Sequence, residues 1–106
     1  MRVLFDQGTP VPLRQALPQH SVETAFERGW SALANGALLT AAEADGFDVM
    51  VTTDLNLQYQ QHLSGRAIAI VVLSTTSWPR IRAAAEDVAR AIDASEASRY
   101  VEVRIP

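Results

Sequence analysis

Two acids in this chain stand where an acid is costly to place. "VLFD", ending at Asp6, and "VTTD", ending at Asp54, each close an apolar run with a carboxylate. An Asp at the end of a buried strand is either a turn residue, bonding the backbone just ahead of it, or half of a site. Two such carboxylates converging at one crevice make an oxygen site for Mg²⁺ or Mn²⁺, hard cations that accept carboxylates and keep several waters. A cation held there would lower the pKa of a bound water and steady the charge on a phosphodiester.

Whether the two acids meet depends on the elements that carry them. "RVLF" (residues 2–5) reads as a short apolar strand, and "PVPLRQAL" after it as one brief helix with Pro at its start. "HSVETA" is a weaker strand with only Val22 clearly apolar, which places it at a sheet edge. "NGALLTAAEADG" puts Leu38, Leu39 and Ala42 on one helical face and stops at Gly46, a favourable residue just past a helix end.

"FDVMVTT" and "AIAIVVL" are near-continuous apolar runs, as central parallel strands covered on both faces require, and "LNLQYQQHL" between them reads as a short helix. "STTSWPRIRAAAEDVARAIDA" reads as one helix with Ile81, Ala85, Val88 and Ile92 at helical spacing. "RYVEVRIP" alternates, with Val101, Val103 and Ile105 on one face, and is expected to be an edge strand.

Strands alternating with helices predict an α/β fold, a three-layer α/β/α sandwich on a mostly parallel five-stranded sheet, formed by residues 1–106 as a single domain. With the second and fifth strands at the edges, an order of 2-1-3-4-5 follows. The chain then reverses direction between strands 1 and 3, and ligands bind at such a switch point, outside the carboxyl ends of the strands. Asp6 and Asp54 are therefore expected side by side.

Composition narrows the chemistry further. The 106 residues carry a net charge of −3 and no cysteine, so there is neither a disulfide framework nor a thiolate metal site. All nine basic residues are Arg, which leaves no Lys for Schiff-base or phosphate-loop chemistry. The acidic balance lacks the usual nucleic-acid footprint, although a bound divalent cation would reverse the field locally. No apolar run approaches the ~20 residues that span a bilayer, and "MRVLFD" is too short and too quickly acidic for a signal peptide. A cytoplasmic protein with no membrane partner is the expectation.

Over roughly its first two-thirds, "MRVLFDQGTPVPLRQAL…HSVETAFERGW…NGALLTAAEADGFDVMVTTDLNL" resembles the PIN-like nuclease domains, closest to a short bacterial subgroup akin to the ribonuclease toxins of toxin–antitoxin pairs. The markers are an opening strand ending in Asp, a helix opening before a Leu-Leu pair, and a strand ending in a Thr-x-Asp turn. The resemblance implies a nuclease that uses clustered acids to bind Mg²⁺ or Mn²⁺ and cleave RNA, with a small antitoxin-like protein as partner. Carried over by position, Asp6 and Asp54 match the metal-binding acids. Asn35 stands where an acid usually opens the helix, and Asn56 where a second Asp often follows the first. Glu27 is the one nearby acid that could make up the count. Replacing two acids by amides weakens divalent binding, since charge count tunes affinity at oxygen sites.

Other residues admit two readings each. Ser74, Thr75 and Thr76 follow the fourth strand and could hold a phosphate; capping of the next helix, with Ser77 as the cap, is preferred. Trp30 and Trp78 flank the carboxyl-end surface and could stack on an unpaired base, with ordinary burial the favoured alternative. His20 and His62 read as surface or edge residues, Arg14, Arg28 and Arg66 as solvated surface positions rather than phosphate contacts, and Tyr59 as crevice or helix packing. Two further functions compete with the nuclease. One is a catalytically weakened PIN-like module that binds RNA or a protein. The other is a receiver-like signalling domain, ranked last because the chain has one acid after strand 1 and no Lys. The alternation in "YVEVRI" also leaves an edge that could pair in a homodimer.

Overall fold

The computed structural model describes all residues except Gln61, His62 and Ser64, and only the backbone of Tyr59 and Gln60. The readings for His62 and for the Tyr59 side chain lie outside the described residues. Five strands, β1 (Arg2–Phe5), β2 (Ser21–Thr24), β3 (Val49–Thr52), β4 (Ala69–Leu73) and β5 (Tyr100–Val103), form one parallel sheet in the order β2-β1-β3-β4-β5. This is the expected α/β architecture, with β2 and β5 at the edges and the switch point between β1 and β3.

Alternate strand residues feed two separate cores, which is why the central strands are apolar throughout. Val3, Phe5, Val49, Val51 and Val71 face a 3₁₀ helix (Val11–Ala16), helix α3 (Trp78–Ala83) and helix α4 (Ala85–Ser98). Leu4, Met50, Ile70 and Val72 face helix α1 (Asn35–Ala44) and the short helix α2 (Leu57–Gln60). Leu38, Leu39 and Ala42 form the buried stripe of α1, as their spacing requires. That helix ends in a Schellman arrangement: Gly46 at φ 84° donates its N–H to the Glu43 carbonyl (3.1 Å), and Phe47 donates to that of Ala42 (3.0 Å). None of the helices is long and apolar enough to cross a membrane, among the described residues.

Two features depart from the sequence reading. The long helix after β4 is broken at Ala84 (φ −108°, ψ 17°) into α3 and α4, and the run of three alanines there carries no breaker. The second concerns the crossovers. Those from β1 to β2, β2 to β3 and β3 to β4 share one hand, whereas β4 to β5 moves in the same direction as β3 to β4 over the opposite face. One hand dominates such connections strongly, so the exception needs a cause. Only one side of β5 is apolar: Val101, Val103 and the following Ile105 point into the α3–α4 core, and α4 must lie there to bury them together with its own Val88 and Ile92. In consequence Glu102, on the other side of β5, stays exposed.

Candidate functional site

Asp6 directly follows β1 and extends its pairing with β3, donating its N–H to the Val51 carbonyl at 3.1 Å. Its side chain is only 8 % exposed. Oδ1 accepts the Gly8 N–H (3.2 Å) and the Thr9 hydroxyl (2.7 Å), and Oδ2 accepts the Thr52 hydroxyl. Burial pushes the Asp6 carboxyl above its ordinary range, and the bonds from Thr52, Thr9 and Gly8 offset only part of that rise.

Asp54 stands two residues past Thr52 and is half-buried. Its N–H donates to Thr52 Oγ1 (3.0 Å), its Oδ1 accepts the Asn56 N–H (2.9 Å), and its Oδ2 accepts Nδ2 of Asn35 (2.8 Å). The fully buried Thr52 hydroxyl therefore touches both acidic residues, giving its proton to the Asp6 carboxylate and accepting from the Asp54 backbone. The strand-end acids are turn residues and neighbours at once: each carboxylate accepts from the N–H two residues ahead, and one hydroxyl links the Asp6 carboxylate to the Asp54 backbone.

Close approach of the two loops depends on Gly8. A Cβ at that position would lie 2.5 Å from Thr53 Oγ1, a separation real structures do not tolerate. The loop after β2 is drawn to the same end by Gln7 Nε2, which donates to the Ser31 carbonyl at 2.6 Å.

Of the sequence candidates, Asp6, Asp54 and Asn35 share one hydrogen-bonded network at the carboxyl ends of β1 and β3. Asn56 joins it through its backbone, with its side chain on an exposed residue. Glu27 is committed elsewhere: it exchanges bonds with Thr24 (2.9 and 3.0 Å) in the turn after β2 and pairs with Arg14 at 2.6 Å. Among the described residues no group of three or more His, Cys, Asp or Glu side chains could hold a metal ion.

The remaining candidates are mostly occupied by structure. Ser74 Oγ accepts the Ile105 N–H (2.7 Å), and Thr75 Oγ1 accepts the N–H of Ser77 (3.1 Å). Ser77 holds the N-cap position of α3, yet its own side chain makes no capping bond. Trp30 packs edge-on against Phe47 with the Arg28 guanidinium 4.9 Å above its ring, and Trp78 packs on the α3–α4 core. Arg28 pairs with Glu23 and Asp45, and Arg66 with Glu43. His20 lies before β2, at the opposite end of the sheet, within 2.7 Å of Asp93.

Sequence reading missed Gly8, Thr9 and Thr52, whose contacts are made across loops. The "TT" before Asp54 was the available signal, because a Thr ending an apolar strand needs a buried hydrogen-bond partner. Exposed apolar residues were missed too. Val11, Phe26 and Leu55 are 53, 80 and 46 % exposed, and they stand on the segments following β1, β2 and β3, around the same end of the sheet. Beside Leu55 a cavity of about 460 Å³ opens between Gln58 and the end of β5.

Mg²⁺ and Mn²⁺ take oxygen ligands. Such ions are commonly held by one or two carboxylates, with water and substrate phosphate filling the other positions. A carboxylate offers about four lone-pair sites; Asp54 accepts two bonds and keeps free capacity, and Asp6 accepts three. Comparison with protein-family models, with curated proteins and with solved structures gives no match to this chain.

Proposed function

We propose that the chain is a PIN-like, divalent-metal-dependent ribonuclease, and that it acts as the toxin component of a toxin–antitoxin pair. The observation that carries this reading is the junction at Thr52, whose hydroxyl bonds the Asp6 carboxylate and the Asp54 backbone N–H at the switch point of a parallel sheet. When bound, Mg²⁺ or Mn²⁺ supplies Lewis acidity towards a phosphodiester and its attacking water. Asp6 and Asp54 would hold the ion. Asn35 orients Asp54 through its amide and keeps its own oxygen available, while Thr52 and Thr9 fix the Asp6 carboxylate. The exposed Val11, Phe26 and Leu55 offer apolar contacts for unpaired bases or for an antitoxin-like partner.

The test is Mn²⁺ titration by calorimetry on the natural chain and on Asp54→Ala, followed by RNA cleavage with and without the metal. Saturable binding lost with Asp54, and metal-dependent cleavage lost in Asp6→Asn, are expected. Cleavage that survives Asp6→Asn sinks the reading.

One observation favours a second reading, a metal-weakened module that binds RNA or protein. Asn35 and Asn56 put neutral amides beside Asp54, and each of the four Asp6 and Asp54 carboxylate oxygens already accepts a hydrogen bond. Restoring Asp at positions 35 and 56 separates the two: cleavage confined to the restored variant makes the natural chain a binding module.

A further inference from the structure

The cavity beside Leu55 is bordered by Gln58, Glu102 and Arg104, which the nuclease reading leaves without a role. Its about 460 Å³ falls within the range of small-ligand sites, ~300–1,000 Å³. Three chemistries line it. Leu55 supplies an exposed apolar side chain, Glu102 a carboxylate and Arg104 a guanidinium, while the side chains of Val103 and Ile105, which also border the cavity, are turned into the α3–α4 core.

Both charged groups are prepared for a ligand in different ways. Glu102 Oε1 accepts from Gln58 Nε2 (3.2 Å) and from the Tyr100 hydroxyl (3.0 Å), which steadies the carboxylate and leaves Oε2 to accept from a ligand N–H. The Arg104 guanidinium makes no hydrogen bond or ion pair among the described residues, unlike Arg2, Arg14, Arg28, Arg66 and Arg90, which all pair with acids. Its backbone is nonetheless held. The next residue, Ile105, donates to Ser74 Oγ (2.7 Å), and Arg80 donates to the Ile105 and Pro106 carbonyls (2.9 and 2.7 Å). The held backbone needs no ordering when an anion binds, while the unpaired guanidinium still gives up side-chain rotamer freedom to engage it.

A free cation, a carboxylate able to accept from an amino group, and the exposed Leu55 side chain match the phosphate, base edge and base face of one nucleotide. Leu55 is the residue directly after Asp54, so the cavity adjoins that acid. We propose that this cavity binds one nucleotide of an RNA strand, with Arg104 on its phosphate and Glu102 accepting from its base. The RNA assignment rests on the ribonuclease reading; the nucleotide chemistry of the cavity does not.

The experiment titrates 5′-AMP and hexa-adenylate into the full chain with the metal chelated, followed by calorimetry and amide NMR shifts. Both are expected to bind, the hexamer more tightly, with shifts at Leu55, Gln58 and Glu102. Arg104→Gln should weaken each by about tenfold, as loss of one charged hydrogen-bond partner implies, and Arg104→Lys should recover part of the loss. Asp54→Asn should leave 5′-AMP binding within about twofold. Absence of saturable 5′-AMP binding, or binding indifferent to Arg104→Gln, overturns the proposal. A monomer that binds at Arg104 while the hexamer binds no better overturns the RNA assignment. The parent reading fails separately: if Mn²⁺ neither binds nor supports cleavage while 5′-AMP still depends on Arg104, the nuclease falls and the nucleotide cavity stands.

Discussion

Thr52→Val tests the junction on which the functional reading depends. Valine keeps the shape and β-branching of threonine, so the fully buried strand position stays filled and only the hydroxyl is lost. Two groups lose a partner: the Asp6 carboxylate and the Asp54 N–H. A hydrogen bond to a charged group contributes about 1.5–3 kcal/mol, and a neutral one about 1. At pH 7 the expected destabilisation is therefore about 2–4 kcal/mol, or roughly 8–16 °C in Tm at about 4 °C per kcal/mol for a domain of this size. The pH dependence gives a sharper check. The Thr52 bond lowers the Asp6 pKa, so removing it raises an already raised folded-state value further. A carboxyl whose folded pKa exceeds its unfolded one stabilises fully below the unfolded pKa and loses that contribution as pH rises through the folded pKa. The variant should thus lose more stability at pH 7 than near pH 3. Urea unfolding at the two pH values measures both quantities. A loss below about 0.5 kcal/mol at pH 7, or an equal loss at both, would show that Thr52 does not hold an ionised Asp6, and the reasoning would fail.

Other substitutions reach the same site from different sides. Gly8→Ala drives a methyl into Thr53 Oγ1 and should cost about 1–3 kcal/mol, read by thermal unfolding, with Mn²⁺ affinity falling in parallel. Asn35→Asp sets a carboxylate where an amide now donates to Asp54; stability should drop by about 1 kcal/mol without metal and return on Mn²⁺ addition, a metal-dependent Tm shift that the natural chain shows more weakly. Phe26→Ser removes a side chain that is 80 % exposed, so unfolding free energy should hold within about 0.5 kcal/mol while RNA affinity falls in a filter-binding assay. On the acid side the sign reverses. Arg14 beside Glu27 and Arg2 beside Asp45 hold those carboxyls below the ordinary range, so their stabilisation is present above that range and is lost as pH falls through it, which a urea series below pH 5 would record.

The sequence alone determined the strand order and the buried faces. Two uninterrupted apolar runs cannot sit at a sheet edge, and two weaker, partly polar strands cannot sit in its middle, so 2-1-3-4-5 follows from which strands need covering. The spacing of Leu38, Leu39 and Ala42 and the glycine at position 46 likewise set α1 and its end, because both are local requirements of one helix. Given that order, the adjacency of Asp6 and Asp54 was also legible. What the sequence left open is how the two acids are held. Thr52 and Thr9 reach Asp6 over 46 and 3 residues, Gly8 earns its place only through Thr53 on another loop, and Glu27 leaves the acid count because Thr24 and Arg14 engage it. The break at Ala84 and the reversed final crossover escaped for the same reason. They are set by where α4 must lie to bury the single apolar side of β5, and that placement also leaves Glu102 and Arg104 open beside the cavity. Patterns within one element are written along the chain, whereas hydrogen bonds and cavities between elements exist only once the sheet has brought distant residues together.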